Sequence, residues 1–93
     1  MTYARIIISD HAGQRMHERK ISYNNILQVL STGEIIEQYA DNVPYPSKLI
    51  LGFCNARATH VVTADDHNSQ TTIIITAYDP EPSVWHSNFQ RRK

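Results

Sequence analysis

The chain has 93 residues, with nine basic and nine acidic side chains and a formal net charge of zero. A length of this order suits one domain with one core, spanning residues 1–93, and the neutral sum gives no case for nucleic-acid binding driven by whole-chain charge. The single cysteine, Cys54, excludes an intrachain disulfide and a cysteine-rich zinc site. No run approaches the roughly 20 apolar residues of a membrane span, and the start MTYARIIISD does not read as a secretory leader, so the expected compartment is the cytoplasm.

Residues 3–8, YARIII, read as a short strand that delivers the chain to a helix over 9–19. Ser9 or Asp10 can cap the first N–H groups of that helix. Its positions 11, 15 and 19 are His, Arg and Arg, one polar stripe at i, i+4 and i+8, while Ala12 and Met16 form the neighbouring apolar stripe. Lys20-Ile21 is a tight link, and Ser22 reads as the cap of a second helix running to about Ser31. Ile26, Leu27, Val29 and Leu30 give that helix its 3.6 period. Gly33 falls where a left-handed C-terminal cap is expected. With so short a link, the two helices are expected to share an apolar seam.

After Gly33 the pattern changes to that of strands. Runs at 34–40, 48–54, 57–64 and 71–78 are separated by Asp41–Pro46, by Asn55-Ala56 as a tight hairpin turn, and by the polar stretch Asp65–Gln70. The last run, TTIIITAY, is apolar on both faces, with Ile73 and Ile75 on one and Ile74 on the other. That suggests a central strand or a face covered by a partner protein. Asp79-Pro80-Glu81-Pro82 ends it, and a short helical turn from Ser83 should dock Trp85 on the body, with Phe89 as a second anchor. The expected fold is therefore α+β: two N-terminal helices packed on a four-stranded antiparallel meander, with a short C-terminal helical turn.

His60 in the third run and Tyr78 at the end of the fourth join the helix stripe as chemistry-bearing residues. His60 should share a strand face with Val62 and Ala64, and Tyr78 with Thr76 and Ile74. His11, Arg15, Arg19, His60 and Tyr78 together supply two acid/base candidates, two fixed cations and a phenol. Histidine titrates near pH ~6.5 and can give or take a proton at neutral pH, and arginine matches phosphate oxygens with a planar fork of donors. That set fits metal-independent cleavage of RNA: a base for the 2′-hydroxyl, cations for the charge on phosphorus oxygens, and an acid for the leaving 5′-oxygen. The simpler alternative for each is structural: a solvated helix face balanced by Glu18, and a hydrogen-bonded core histidine. His17, His67 and His86 read as surface residues. The histidine spacing suggests no metal, and nothing suggests a cofactor.

The runs SDHAxxRMxxRxIS (Ser9–Ser22), GEIIE (Gly33–Glu37), PYPS (Pro44–Ser47), HVV (His60–Val62) and TAYDP (Thr76–Pro80) resemble the bacterial family called domain of unknown function 4258. The likeness covers nearly the whole chain and keeps the order and spacing of the blocks. One departure is Lys20, where the family commonly has glycine in the link between the helices. The family is similar to the small RelE-type and BrnT-type toxin ribonucleases, which implies a RelE-like fold and a toxin component of a toxin–antitoxin system. The implied partners are RNA, free or on the ribosome, and an antitoxin with a zinc-binding part and a helix-turn-helix part. No membrane partner is implied, and a homodimer is left open. The residues implied for catalysis are the same five, His11, Arg15, Arg19, His60 and Tyr78. The competing expectation is a non-catalytic RNA- or protein-binding module of the same fold. Convergence of the helix stripe with His60 in one cleft between the first helix and the sheet would favour the enzyme; His60 buried away from the helix stripe would favour the module.

Overall fold

The structure, a computed structural model, describes residues 4–85 and 88–91. Its elements in chain order are β1 (Arg5–Ile8), α1 (Asp10–Arg19), α2 (Tyr23–Thr32), β2 (Glu34–Tyr39), β3 (Ser47–Cys54), β4 (Arg57–Asp66) and β5 (Thr71–Tyr78). The expected antiparallel meander β2-β3-β4-β5 is present, but the sheet is five-stranded and mixed, in the order β1-β5-β4-β3-β2. The added strand is β1, which pairs parallel with β5 from Arg5 opposite Thr71 to Ile8 opposite Ile74. β5 is thus a central strand, which accounts for apolar residues on both of its faces.

Local chemistry sets the helix ends. Ser9, not Asp10, is the N-cap of α1: its Oγ accepts the Ala12 N–H at 3.1 Å. Lys20 closes α1 in a left-handed conformation at φ 57°, and the buried Ile21 returns its N–H to the Met16 carbonyl at 2.9 Å. Ser22 and Asn25 form a reciprocal capping box at the start of α2. Gly33 is not left-handed; its φ of −79° and ψ of 171° are extended. Glycine is needed there for space, since a Cβ would lie 2.5 Å from the Val29 carbonyl oxygen and 2.7 Å from that of Leu51. Asn55 and Ala56 both have positive φ, 53° and 69°, the signature of a type I′ hairpin turn.

Both helices cover one face of the sheet, as expected, but their main packing partner is the sheet rather than each other. α1 rests on β5, and α2 on β3 and β4. The core between the layers contains Ala12, Met16, Ile26, Val29, Ile50, Val61, Ile74 and Ala77. A register shift between Val62 and Thr63 places Thr76 opposite Val62 but Ile74 opposite Thr63. This bulge turns Ile74 to the helix side with Ala77, so Ile74 does not share the Tyr78 face as strict alternation would require. Towards the β3 start the same face becomes polar: Lys48 Nζ pairs with Asp65 at 3.1 Å, and the Thr72 hydroxyl donates to the other Asp65 oxygen.

The opposite sheet face is covered at one end by the C-terminal segment. The Val84 and Trp85 N–H groups return to the Glu81 carbonyl at 2.9 and 3.0 Å, making a single turn that starts two residues before the expected Ser83, and Trp85 is buried on the sheet. Phe89 is half-buried. Tyr3 and His86 lie outside the described residues. No helix among the described residues is long and apolar enough to cross a membrane.

Candidate functional site at the end of β5

The stripe on α1 is real, but its members meet different surroundings. His11 is exposed on the first turn. Arg15 turns to its own helix, with Nη1 at 3.1 Å from both carboxylate oxygens of Glu18. Arg19, at the last turn, reaches the sheet: its Nη1 donates to the Ala77 carbonyl at 2.8 Å. β1 has ended before this level, so among the described residues the Ala77 carbonyl has no strand partner on that side, and Arg19 takes the place of one. Eight residues of helix separate His11 from Arg19 by roughly 12 Å, so a single substrate group cannot touch both ends of the stripe at once.

The neighbouring residue, Tyr78, projects from the other side of β5 and is opposite His60 in the β4–β5 register. His60 is fully buried, with a relative exposure of 0%. Its Nε2 lies 2.8 Å from the Phe89 carbonyl oxygen and its Nδ1 3.3 Å from the Tyr78 hydroxyl. A carbonyl can only accept, so Nε2 carries the proton; in the neutral ring Nδ1 then accepts the Tyr78 O–H. The ring is held edge-on between Trp85, with centroids 4.4 Å apart, and Tyr78, at 5.3 Å.

Arg19, Tyr78, Asp79 and Glu81 line a cleft of about 370 Å³ at this corner. Of the five residues expected to form a site, the structure brings Arg19 and Tyr78 into this cleft and sets His60 behind Tyr78. His11, Arg15 and His60 do not line it. His60 sits on the face away from the helices because side chains alternate along β4, and its neighbour Val61 is the one turned to the helix core.

A residue that the sequence reading passed over holds this corner together. Arg57, at the start of β4, donates Nε and Nη2 to the two Asp79 carboxylate oxygens, both at 2.8 Å. Its Nη1 and Nη2 also donate to the carbonyls of Lys20 and Arg19, at 3.0 and 2.8 Å. The end of α1, the start of β4 and the end of β5 are thereby tied by one guanidinium. The Asp79 hydrogen bonds raise the Arg57 pKa further, and a guanidinium is a permanent cation in any case. A signal was available: adjacent antiparallel strands begin with Arg57 and end before Asp79 at the same edge of the sheet.

Chemically, the corner offers a fixed cation, a phenol and a buried imidazole that accepts the phenol's proton, beside an acid already paired. Among the described residues, no three His, Cys, Asp or Glu side chains gather in the manner of metal ligands. Residues 8–79 match the model of a family described as a domain of unknown function, DUF4258. No curated protein and no solved structure matches the chain.

Proposed function

The chain belongs to the DUF4258 family, and from the side chains at the end of β5 we propose that it is an RNA-acting domain of toxin type, cleaving RNA without a metal. The observation that carries this reading is the Tyr78 hydroxyl held on His60 Nδ1, one residue from the carbonyl that grips Arg19. In this scheme Tyr78 takes the 2′-hydroxyl proton while passing its own to His60 Nδ1, leaving an imidazolium between Tyr78 and the Phe89 carbonyl. The freed 2′-oxygen attacks phosphorus, Arg19 binds the phosphate oxygens as charge builds on them, and the departing 5′-oxygen takes a proton from solvent at the cleft mouth. His11 and Arg15, further along α1, would contact the RNA backbone away from the scissile bond. The implied inhibitor is an antitoxin with zinc-binding and helix-turn-helix parts, and the implied compartment is the cytoplasm.

The test is induced expression in a bacterium, scored for growth arrest, with a ribonuclease assay of the purified protein on free and ribosome-bound RNA. Tyr78→Phe should lower the cleavage rate by about 10²–10⁴ and Arg19→Ala by on the order of 10²–10³, with both variants folded. A second reading, a non-catalytic RNA- or protein-binding module, is favoured by the setting of His60: it is buried on the sheet face away from the α1 stripe, and both ring nitrogens already have partners within the protein. A folded parent that cleaves neither RNA substrate would establish that reading instead.

A further inference from the structure

The two edges of the sheet are built differently. β2, at one edge, carries Glu34, Glu37 and Gln38 and is interrupted by a bulge between Ile35 and Glu37. Charges and bulges of this kind keep an edge strand from pairing with another chain. β1, at the other edge, has no bulge and a single charge, Arg5, at its first position. It is Arg-Ile-Ile-Ile, pairs with β5 without a register shift, and contains no proline or lysine. α1 turns back over β5, and among the described residues no helix or strand packs along the outer side of β1. On the face away from the helices, Ile7 is 43% and Ile75 37% exposed. Ile73 and Ile75 continue into a groove of about 210 Å³ walled by Val43, Pro44 and Tyr45. An apolar edge that no described element covers, beside an apolar groove, is a pairing surface.

We propose that β1 pairs antiparallel with β1 of a second copy across a two-fold axis, joining two five-stranded sheets into one. The sequence of the strand selects the second copy and the register. Direct partners in an antiparallel pair share a face, so the two residue numbers must sum to an even value. With a sum of 14, Ile7 faces Ile7 on the open side and Ile6 faces Ile8 on the helix side. Arg5 then falls opposite Ser9, next to Asp10 of the other copy, and Ser9 is still extended at φ −64° and ψ 157°. Apolar side chains meet only apolar side chains, and each terminal cation approaches an acid. A sum of 12 places Arg5 against Ile7, and a sum of 16 runs the pairing into α1. The edge is only four residues long, so the contact belongs with the small, weak interfaces and forms at high protein concentration.

The parent protein should sediment as a dimer at on the order of 100 µM and dissociate on dilution. Ile7→Lys should be monomeric with the melting temperature of the parent, while Leu27→Lys, at a slightly less exposed site on α2, should dimerise as the parent does. Register is read by cross-linking, because the natural Cys54 is buried. Under oxidised glutathione, which is reduced as two thiols join, Ile7→Cys should form a disulfide-linked dimer and Arg5→Cys should not, since only residue 7 faces itself. A parent that stays monomeric overturns the proposal, as does an Ile7→Lys variant that dimerises like the parent. Equal cross-linking of Arg5→Cys and Ile7→Cys overturns the register. Should Ile7→Lys fail to fold, the cysteine pair decides, and none of these readings depends on ribonuclease activity.

Discussion

Arg57 holds Asp79 in a two-pronged ion pair while the same guanidinium caps the last carbonyls of α1. The pair itself is partly exposed and therefore contributes little; the two carbonyl bonds add more, because among the described residues no other protein donor reaches these carbonyls at the end of α1. Arg57→Ala should cost about 1–2 kcal/mol, read as a lower midpoint in urea with an unchanged slope. Arg57→Lys should recover only part of it, since an ammonium cannot reproduce the fork. An Arg57→Ala midpoint equal to the parent's would show that the clamp is not formed in solution.

The helix starts were legible because Ser9 and Ser22 cap by local chemistry, though the C-terminal cap read at Gly33 is extended rather than left-handed, and the meander was legible because the hydrophobic period changes at Gly33. The place of β1 was not. A run of three isoleucines has no alternation to report its faces, and its parallel partner lies more than 60 residues away in the chain. The bulge in β5 was equally hidden, since TTIIITAY reads apolar in either register. For the site, the sequence supplied the stripe on α1 but not its separation along the helix axis. Nor did it show that His60 faces away from α1, because that depends on which side of β4 the helices choose to cover. Arg57 could have been paired with Asp79 from the two strand ends, but its bonds to the carbonyls of Arg19 and Lys20 depend on where the tertiary fold sets α1.

The glycines separate by space rather than by backbone angle. A Cβ on Gly52 would lie 2.8 Å from Val29 Cγ2 and 2.9 Å from Val29 Cα, whereas one on Gly13 would approach nothing closer than Ile8 Cγ2 at 3.8 Å. Gly52→Ala should push α2 off β3 and cost about 1–3 kcal/mol. Gly13→Ala should stabilise α1 by roughly 0.5–1 kcal/mol, through helix propensity alone. Thermal melts of the two variants moving in the same direction would contradict the close contact of Val29 with Gly52.

Asp66 organises the β4–β5 turn. Its carboxylate accepts the Ser69 hydroxyl at 2.8 Å and the Asn68 and Ser69 N–H groups at 3.0 and 3.3 Å. These bonds, the Ser69 hydroxyl first, hold its pKa below the ordinary carboxylate value. A folded-state pKa below the unfolded one means stability that is fully present above the unfolded value and lost as pH falls through the folded one. Asp66→Asn removes that titration. The melting-temperature advantage of the parent over Asp66→Asn should therefore be constant near neutrality and shrink below about pH 4. An advantage independent of pH would mean that the turn does not depend on the ionised carboxylate.

The His60–Tyr78 contact makes two demands that can be measured apart. As packing, it places a fully buried ring between Trp85 and Tyr78, so His60→Ala should open a cavity and cost about 3 kcal/mol or more. Tyr78→Phe keeps the ring and removes the hydroxyl that donates to Nδ1, at a cost of about 1–2 kcal/mol. As chemistry, it requires the Nε2–H tautomer, fixed by the Phe89 carbonyl. Nitrogen-15 NMR of the imidazole should show the proton on Nε2 in the parent and still on Nε2 in Tyr78→Phe, because the Phe89 carbonyl is untouched by that change. The proton resting on Nδ1 would reverse the hydrogen bond, make His60 the donor to Tyr78, and remove the acceptor that the proposed proton transfer needs. If Nε2 is protonated and Tyr78→Phe loses cleavage well beyond its loss of stability, the phenol acts in the reaction. If activity falls only in step with the unfolded fraction, the pair is a piece of core.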